Sequence, residues 1–517
     1  MTMDQNVLTY TVAVLIIVLT LIYFKLRKTF SWEQHGVKEV KLGSQAFTDF
    51  RAACRQVIDE HGDTVGVVGG DNILITRDLD ILRHVLVKDF NNFTDRAVGV
   101  ITRTLLDKGV FFLNGHDWRR VRHIVTPSFS SGKLKQMTAP INESAQKLTA
   151  VLEKLAVKKE LAPIKHLTGQ YTSEIIARSA FGLVTDCLGK EDDEFTRFSK
   201  SIIKLRSKAM NMVMLVFLWF PGVHKFLVQT LGIEPLDAAS IDADSYFRSV
   251  LHRTIAEREA MERNGQKTPA DLLQSLINAK KAGDKEAASF VGSTEGVTWD
   301  KLPKTMSDDE LLGQSQVIIF AGFETTSTTL QMCLYLLAQH PNIQEKVYQE
   351  IVNVIHSDKP TYEELSQLRY LEQVLQETLR LYPPLPLTTR KALTTCTYGK
   401  VTIPKGTWVI AMLDGIMLDP KNYPDPEKYD PDRFSEENSL PRDPMTYIPF
   451  GAGPRLCIGQ RLAMLELKLG LVQVLRKLKV ELNQRTEPKK GETPKMSFQG
   501  IIVVDQPIQL EMTARHA

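Results

Sequence analysis

The chain is poor in several things that would name a protein class at once. It has 517 residues but only five cysteines, Cys54, Cys187, Cys333, Cys396 and Cys457, and no two form a Cys-x-x-Cys pair. That excludes a zinc site or a disulfide scaffold of the usual spacing, and free thiols fit a body in a reducing compartment. A large excess of either charge is absent: 64 Lys and Arg nearly balance 61 Asp and Glu, and the net charge of +3 gives no global support for a nucleic-acid partner. Proline is missing before Pro127, no internal repeat is visible, and no flavin- or nicotinamide-binding motif appears. The 43% hydrophobic and 24% charged residues are ordinary globular usage. The length allows one large domain or two or three ordinary ones.

What is present begins at the N-terminus. Val7 to Phe24 is an almost unbroken apolar run. About 18 residues at 1.5 Å each span ~27 Å, close to the hydrocarbon core of the endoplasmic reticulum. Lys25, Arg27 and Lys28 follow at once, and only Asp4 is charged before it. Positive charge stays cytoplasmic, so the body is expected to face the cytosol. A cleaved secretory signal wants a basic start and a small-residue cleavage site. This start is acidic and the run ends Tyr23-Phe24-Lys25-Leu26-Arg27, so an uncleaved anchor over residues 1–28 is expected, with a catalytic domain over 29–517.

Beyond the linker, Ser44 to Glu60 reads as a helix. Thr64 to Val68 and Asn72 to Thr76 read as a hairpin around Gly69-Gly70. Asp78 to Val87 returns to helix, and helical periodicity dominates from Trp118 to about Lys281. Ala282 to Lys304 is polar and reads as a surface loop. A long helix is expected from Ser307, with Asp308, Asp309 and Glu310 complementing its dipole, and it should end before Pro341. Helices follow over Asn342 to about His356 and Tyr362 to Tyr382. Strand-and-turn segments lie between Leu393 and Met412. A helix runs from Gly459 to Leu478, and a strand pair turns near Gly500. The fold class is mainly α with small peripheral β-sheets.

The most restrictive stretch is Phe450-Gly451-Ala452-Gly453-Pro454-Arg455-Leu456-Cys457-Ile458-Gly459. An isolated cysteine is usually a small buried hydrophobe. Three glycines argue otherwise, because glycine lets a backbone approach a flat ligand closely. A cysteine nucleophile would need a base, and no histidine lies close in sequence. Average residue usage would match Phe450, Gly453, Arg455, Cys457 and Gly459 together by chance roughly once in ten thousand chains of this length. The stretch resembles the cysteine loop of the cytochrome P-450 family, the haem-thiolate monooxygenases. The resemblance implies the fold of that family, haem b (iron protoporphyrin IX) as cofactor, Cys457 as axial thiolate, and Phe450 and Gly459 at the cofactor.

Three further motifs agree with it. Ala321-Gly322-Phe323-Glu324-Thr325-Thr326 sits inside the long helix, where a glycine costs ~1 kcal/mol relative to alanine. A polar turn on a surface helix is the bland reading, but flanking Val317, Ile318, Ile319 and Phe320 speak against exposure. By resemblance, Thr325 donates a hydrogen bond to bound dioxygen and Glu324 helps relay protons. Glu377 and Arg380 share a helix face; alone they are a common surface pair worth under ~1 kcal/mol. With Pro431-Asp432-Arg433-Phe434 they match the family's structural trio, Glu377, Arg380 and Arg433. Trp118 and Arg122, at i and i+4, can reach one ligand together. By resemblance they grip haem propionates, together with Arg96, Arg390 and Arg455, whose planar forks suit carboxylates.

The resemblance covers nearly everything after about residue 44. It is closest to the microsomal clan that holds drug- and steroid-oxidising enzymes and thromboxane synthase. Two features depart from it: the proline-rich hinge after the anchor is missing, and Met417-Leu418-Asp419-Pro420 replaces His-Arg-Asp-Pro. By family position Phe320, Ala321, Leu385, Leu387 and the turn Gln499-Gly500-Ile501 wall the substrate pocket, together with the loop between residues 97 and 115. These are mostly apolar, so a lipophilic substrate is expected, a steroid, fatty acid or xenobiotic. Met210 to Val228 is either ordinary core or a second membrane-touching patch. About 60 residues follow Cys457, so electrons are expected from another protein. The resemblance implies an NADPH-cytochrome P-450 reductase in the membrane, with cytochrome b5 as a second donor. Arg119, Arg120, Arg442, Arg461 and Lys468 are candidate basic contacts for it. Two rivals are a haem isomerase of a lipid peroxide, whose members often lack the helix threonine present here as Thr325, and a haem-binding sensor or carrier.

Overall fold

The computed structural model describes residues 30–68, 72–96, 104–183, 185–188, 193–202, 240–289 and 304–515. The expected anchor and the apolar stretch from Met210 to Val228 lie outside the described residues.

One helix organises the rest. It runs from Asp308 to Gln339, starting at Ser307, whose side chain accepts from the Glu310 amide while the Glu310 carboxylate accepts from the Ser307 amide. This reciprocal cap satisfies two amides that the first turn leaves free. The helix ends where Pro341 opens the next one, over Pro341–Val354. Most of its 32 residues are buried, and it passes through the largest apolar cluster of the molecule. The helices Ile164–Ile175 and Gln460–Lys477 pack against it, and Ser131–Lys158 packs against the latter.

A five-stranded sheet lies to one side, in the order Lys38–Val40, Thr64–Val68, Asn72–Thr76, Trp408–Met412, Leu387–Lys391. The second and third strands form the expected antiparallel hairpin, with Val65 opposite Ile75. The alternation of Val, Ile and Leu suits a half-buried pleat. Met496–Phe498 and Ile502–Val504 form the expected antiparallel pair around Gly500, whose φ is +90°.

Three expectations need correction. The helix expected over Tyr362 to Tyr382 is two helices, Tyr362–Gln367 and Arg369–Leu381, broken at Leu368 (ψ 81°). The Glu350 carboxylate accepts from the amides of Tyr370 and Leu371 and so caps the second helix from outside. The loop expected from Ala282 begins later, because helix Leu272–Ser289 continues through it. Lys280 bonds Asp284 one turn on, and the alanines there are good helix formers. The helix expected from Ser44 is a short 3-10 turn over Ser44–Phe47, then a helix over Phe50–His61 capped by Asp49.

The missing proline hinge has a structural counterpart. Trp32 is fully buried, and its indole Nε1 donates to the Val67 carbonyl at 3.2 Å. The ring lies flat against Gly66, where an added Cβ would stand 2.1 Å from Trp32 Cγ. Phe30 packs edge-on against Trp32 and stacks on His35. The chain is therefore fixed to the sheet from residue 30 onward. Trp32→Ala is expected to lose ~3–5 kcal/mol of stability, the cost of emptying a buried aromatic site. Denaturant unfolding of the body measures it, and a loss near zero would show that the ring pins nothing.

Candidate active site

The cysteine loop is shaped by close approach. Gly451 and Gly453 have φ of +78° and +70°, where side chains are strained. Gly453 also lies on the Leu86 carbonyl, and a Cβ there would stand 1.8 Å from that oxygen. The Cys457 amide donates to the Phe450 carbonyl at 3.0 Å and closes the loop. Arg455 ties the loop to the body: its Nε donates to the Thr94 carbonyl at 2.8 Å and a terminal nitrogen to Leu113 at 2.7 Å. Its guanidinium lies 4.4 Å over the Trp118 ring. Gly459 then caps helix Gln460–Lys477, as expected from the sequence. Cys457 thus stands just before a helix N-terminus, where an anion is favoured. Burial pushes its thiol up. The amides of Gly459 and Gln460 and the charges of Arg122 and Arg96 act the other way.

Cys457 opens into a cavity of about 930 Å³ that the long helix also lines. Ala321 is exposed and Gly322, Glu324 and Thr325 are half-buried in a helix otherwise buried, because this turn faces the cavity. The Thr325 hydroxyl donates to the Ala321 carbonyl at 2.6 Å, and Thr329 donates to the Thr325 carbonyl at 2.8 Å. Such bonds to the preceding turn tend to bend a helix. Burial pushes the Glu324 carboxyl above its ordinary range, while Lys165 and Lys200 oppose it. Phe320, Leu385, Leu387, Gln499, Gly500 and Ile501 all line the cavity.

No local motif signals how the loop before Trp118 is held. Gly313 of the long helix touches it backbone to backbone, since a Cβ there would stand 2.6 Å from the Leu105 carbonyl. Gln314 clamps it twice, accepting from the Val110 amide at 2.7 Å and donating to the Lys108 carbonyl at 2.6 Å. This places Phe111 and Phe112 against Phe320 in the cavity wall.

Four guanidinium groups gather beside the cysteine loop. Arg96, Arg122 and Arg455 line the cavity, with Trp118; Arg390 does not, but stands within electrostatic reach of Arg96 and Arg455. Among the described residues none of the four has a carboxylate at ion-pair distance. Burial pushes Arg96 down to about 10, Arg390 to about 9 and Arg455 to about 8, and neighbouring arginines add to the effect. Arg96 Nε, Arg390 Nε and one terminal nitrogen of Arg455 have no hydrogen-bond partner among the described residues. Buried cations with orphaned donors call for an anion with several oxygens. The two propionates of a haem lying on Cys457 would meet that demand, so the residues present fit the group.

Glu377, Arg380 and Arg433 do meet. Glu377 and Arg380 are fully buried and paired bidentately at 2.6 and 2.8 Å. Arg433 stands 3.5 Å from Glu377, a looser contact than expected, and it donates to the Asp425 carbonyl instead. The third strong partner of Glu377 is the Asp430 amide, at 2.9 Å. Arg380 also donates to the Met417 carbonyl, within the segment that departs from the family pattern. Glu377→Ala would leave Arg380 buried without its counter-charge, at ~3–5 kcal/mol. Yield and haem content should fall together. A fully loaded variant with unchanged melting would refute this.

The basic contacts expected for an electron donor are corrected in part. Arg120 is engaged with Glu310 at the start of the long helix. Lys468 is buried and bonded to Glu372 and the Leu365 carbonyl. Arg442 stacks on Tyr423 at 4.4 Å. Each lies where a neighbouring element supplies a closer partner. Arg461 is exposed, and Arg119 is half-buried with Asn91 as its partner.

A protein built to hold an iron porphyrin through a thiolate, with an apolar chamber above it, is a haem-thiolate enzyme. Comparison with known proteins agrees. The family model described as Cytochrome P-450 matches residues 42–512. The chain is 32% identical to cytochrome P-450 3A13 of Mus musculus over 453 residues, 86% of this chain and 84% of that protein. It is 34% identical to cytochrome P-450 6k1 of Blattella germanica over 415 residues, 79% of this chain and 77% of that one. With cytochrome P-450 3A27 of Oncorhynchus mykiss it shares 31% identity over 474 residues, 91% of this chain and 86% of that protein. The chain belongs to the cytochrome P-450 family. It is a haem monooxygenase, its haem carries a cysteine thiolate ligand, and it works with a redox-partner reductase on a small molecule.

Proposed function

We propose that the chain inserts one oxygen atom of dioxygen into a lipophilic substrate, a steroid, fatty acid or xenobiotic, with electrons from NADPH through a membrane-bound flavin reductase and with cytochrome b5 as a second donor. It works at the endoplasmic reticulum membrane, held there by residues 7–24 with its body in the cytosol. The observation that carries the reading is Cys457 and Thr325 on the same cavity. Bound to Cys457, the haem supplies dioxygen binding and its reductive cleavage, with the thiolate pushing electron density toward the reacting oxygen.

This chain's own residues do the rest. Arg96, Trp118, Arg122, Arg390 and Arg455 hold the propionates, with Phe450 and Gly459 shaping the loop around the sulfur. Thr325 presents its hydroxyl to the cavity and can turn its proton from the Ala321 carbonyl into the cavity. Glu324, whose carboxyl is pushed above its ordinary range by burial, hands protons on to that hydroxyl. Phe320, Ala321, Leu385, Leu387 and Ile501 hold an apolar substrate and exclude water. The Glu377, Arg380 and Arg433 group fixes the floor beneath the cysteine loop.

Cys457→Ser is expected to abolish the strongly red-shifted Soret band of the ferrous carbon monoxide adduct; a variant that keeps it sinks the ligand assignment. Thr325→Ala should bind substrate and accept electrons normally. Product formation should fall on the order of 10²-fold, the low end of the usual share of a positioned proton donor, and hydrogen peroxide release per NADPH should rise. The same protein should be run on a lipid peroxide without reductase. Turnover there, insensitive to Thr325→Ala, would replace the monooxygenase reading with an isomerase.

A further inference from the structure

The turn that carries the cavity's aromatic wall is gripped at its root by one side chain. Gln314 of the long helix is 1% exposed, and its amide reaches the loop on both sides of Gly109. It accepts from the Val110 amide at 2.7 Å and donates to the Lys108 carbonyl at 2.6 Å. The Gly109 carbonyl in turn accepts from the amides of Phe112 at 2.9 Å and Leu113 at 3.1 Å, which folds the turn that shows Phe111 and Phe112 to the cavity. The far end of the turn is held from the cysteine-loop side: Arg455 donates to the Leu113 carbonyl at 2.7 Å and Arg96 to the Phe111 carbonyl at 3.4 Å. At the near end the Leu105 amide donates to Asp244, which also accepts from Gln316 at 2.8 Å.

The contact at Gly109 leaves no slack. Added Cβ atoms would stand 2.0 Å from Val317 Cγ2 at Gly109 and 2.6 Å from the Leu105 carbonyl at Gly313. Glycine surfaces are smooth, and packing alone lets them slide. Sliding here would leave the Gln314 amide unpaired inside the core, which is costly. The rings beyond it meet at fixed angles. Phe111 lies edge-on to Phe112 and to Phe320, with centroids 5.0 and 6.4 Å apart, and Phe112 is tilted 31° from Phe320. Rings in such contact present a stiff apolar surface of large area. A rigid ring system gains that area at small entropic cost, whereas a flexible chain must first be ordered.

We propose that Gln314 is a positioning residue for substrate selection: by fixing Gly109 to the long helix it holds Phe111 and Phe112 against Phe320 as a preformed wall, and that wall selects a lipophile with a rigid ring system over one with a flexible chain. This assignment rests on the monooxygenase reading and narrows its substrate class. The Gln314 amide is spent on the loop and on the Glu310 carbonyl, at 3.0 Å, so its influence runs through the two phenylalanines. Without the clamp the turn swings on its remaining ties at Leu105 and Leu113. The wall then loses its place, while the cysteine loop keeps its own through the bond of Arg455 to the Thr94 carbonyl.

The test uses the full-length, haem-loaded protein and two imidazoles that ligate ferric haem iron through the same kind of nitrogen: clotrimazole, which carries three aryl rings, and N-dodecylimidazole, which carries one flexible chain. Binding is read from the shift of the Soret band. Wild type should favour clotrimazole. In Gln314→Met, which keeps the volume and loses both bonds, clotrimazole should bind about tenfold more weakly, the scale of a lost aromatic contact, while N-dodecylimidazole stays within about twofold. Phe111→Ala and Phe112→Ala in one protein should lower the same ratio at least as far. Hydrogen exchange of the peptide covering 105–113 should speed up about tenfold in Gln314→Met. Should that variant fail to load haem, Gln314→Asn, too short to span both sides of Gly109, is measured in its place. An unchanged affinity ratio overturns the proposal whether or not exchange speeds up, and so does a changed ratio with exchange as in wild type. A wild type that binds N-dodecylimidazole the more tightly, or a double phenylalanine variant with the wild-type ratio, overturns it as well. None of these readouts needs turnover, so wild-type protein that makes no product with reductase sinks the monooxygenase reading and leaves them standing.

Discussion

Everything in the body answers to one constraint, that a sulfur must be held in an apolar interior in its anionic form. An isolated buried thiol resists ionisation, as Cys54 and Cys333 show: both are buried deep in the core and pushed far above the ordinary thiol value. Cys457 differs in what surrounds it. It sits before a helix N-terminus with two amides turned to it, and two guanidinium charges stand nearby. Those features require the tight turns at Gly451 and Gly453, the contact of Gly453 with Leu86, and the anchoring of Arg455 beneath Trp118. The cations gathered around it repel one another, so the site is built to be completed by an anionic cofactor.

The long helix is the opposite wall of that arrangement. Its length and reciprocal cap make it rigid, and its burial on almost every side leaves a single turn facing open space. That turn is rich in hydroxyls where an ordinary core helix would carry apolar side chains. The hydroxyls of Thr325, Ser327 and Thr329 each have a named partner within the helix or on a flanking one. Buried polar groups are tolerated when satisfied, and they then specify one register between helices rather than several. The helix is thus both the scaffold of the core and one wall of the cavity.

The wall nearest the loop before Trp118 shows how strongly shape is fixed. Gly109 and Gly313 let two backbones meet, and Gln314 bonds both sides of the contact. Phe111 and Phe112 are carried into the cavity by that clamp. The Arg96 guanidinium lies 4.3 Å over the Phe111 ring, so the arginine group and the cavity wall are in direct contact. The N-terminal side is tied down in the same manner, through Trp32 on Gly66. A body without a proline hinge still leaves its linker at a fixed place on the sheet.

The sequence by itself determined what local chemistry dictates. The glycines around Cys457, the cap and first turn at Ser307 to Glu310, and the Ala321 to Thr326 turn each carry their meaning in adjacent residues, so motif, helix and cavity-facing turn were legible. So was the hairpin at Thr64 to Thr76, because alternation is a local signal. What the tertiary structure decided are relations between distant residues. Leu368 breaks a helix because Glu350, from another helix, caps the next one. Arg433 stands off from Glu377 because the Asp430 amide takes the place at the carboxylate. Arg120 and Lys468 look like free surface charge in sequence and are consumed by Glu310 and Glu372. Sequence spacing fixes which groups a single helix or turn can bring together, whereas burial and pairing depend on which elements pack, and that is set only when the whole chain has folded.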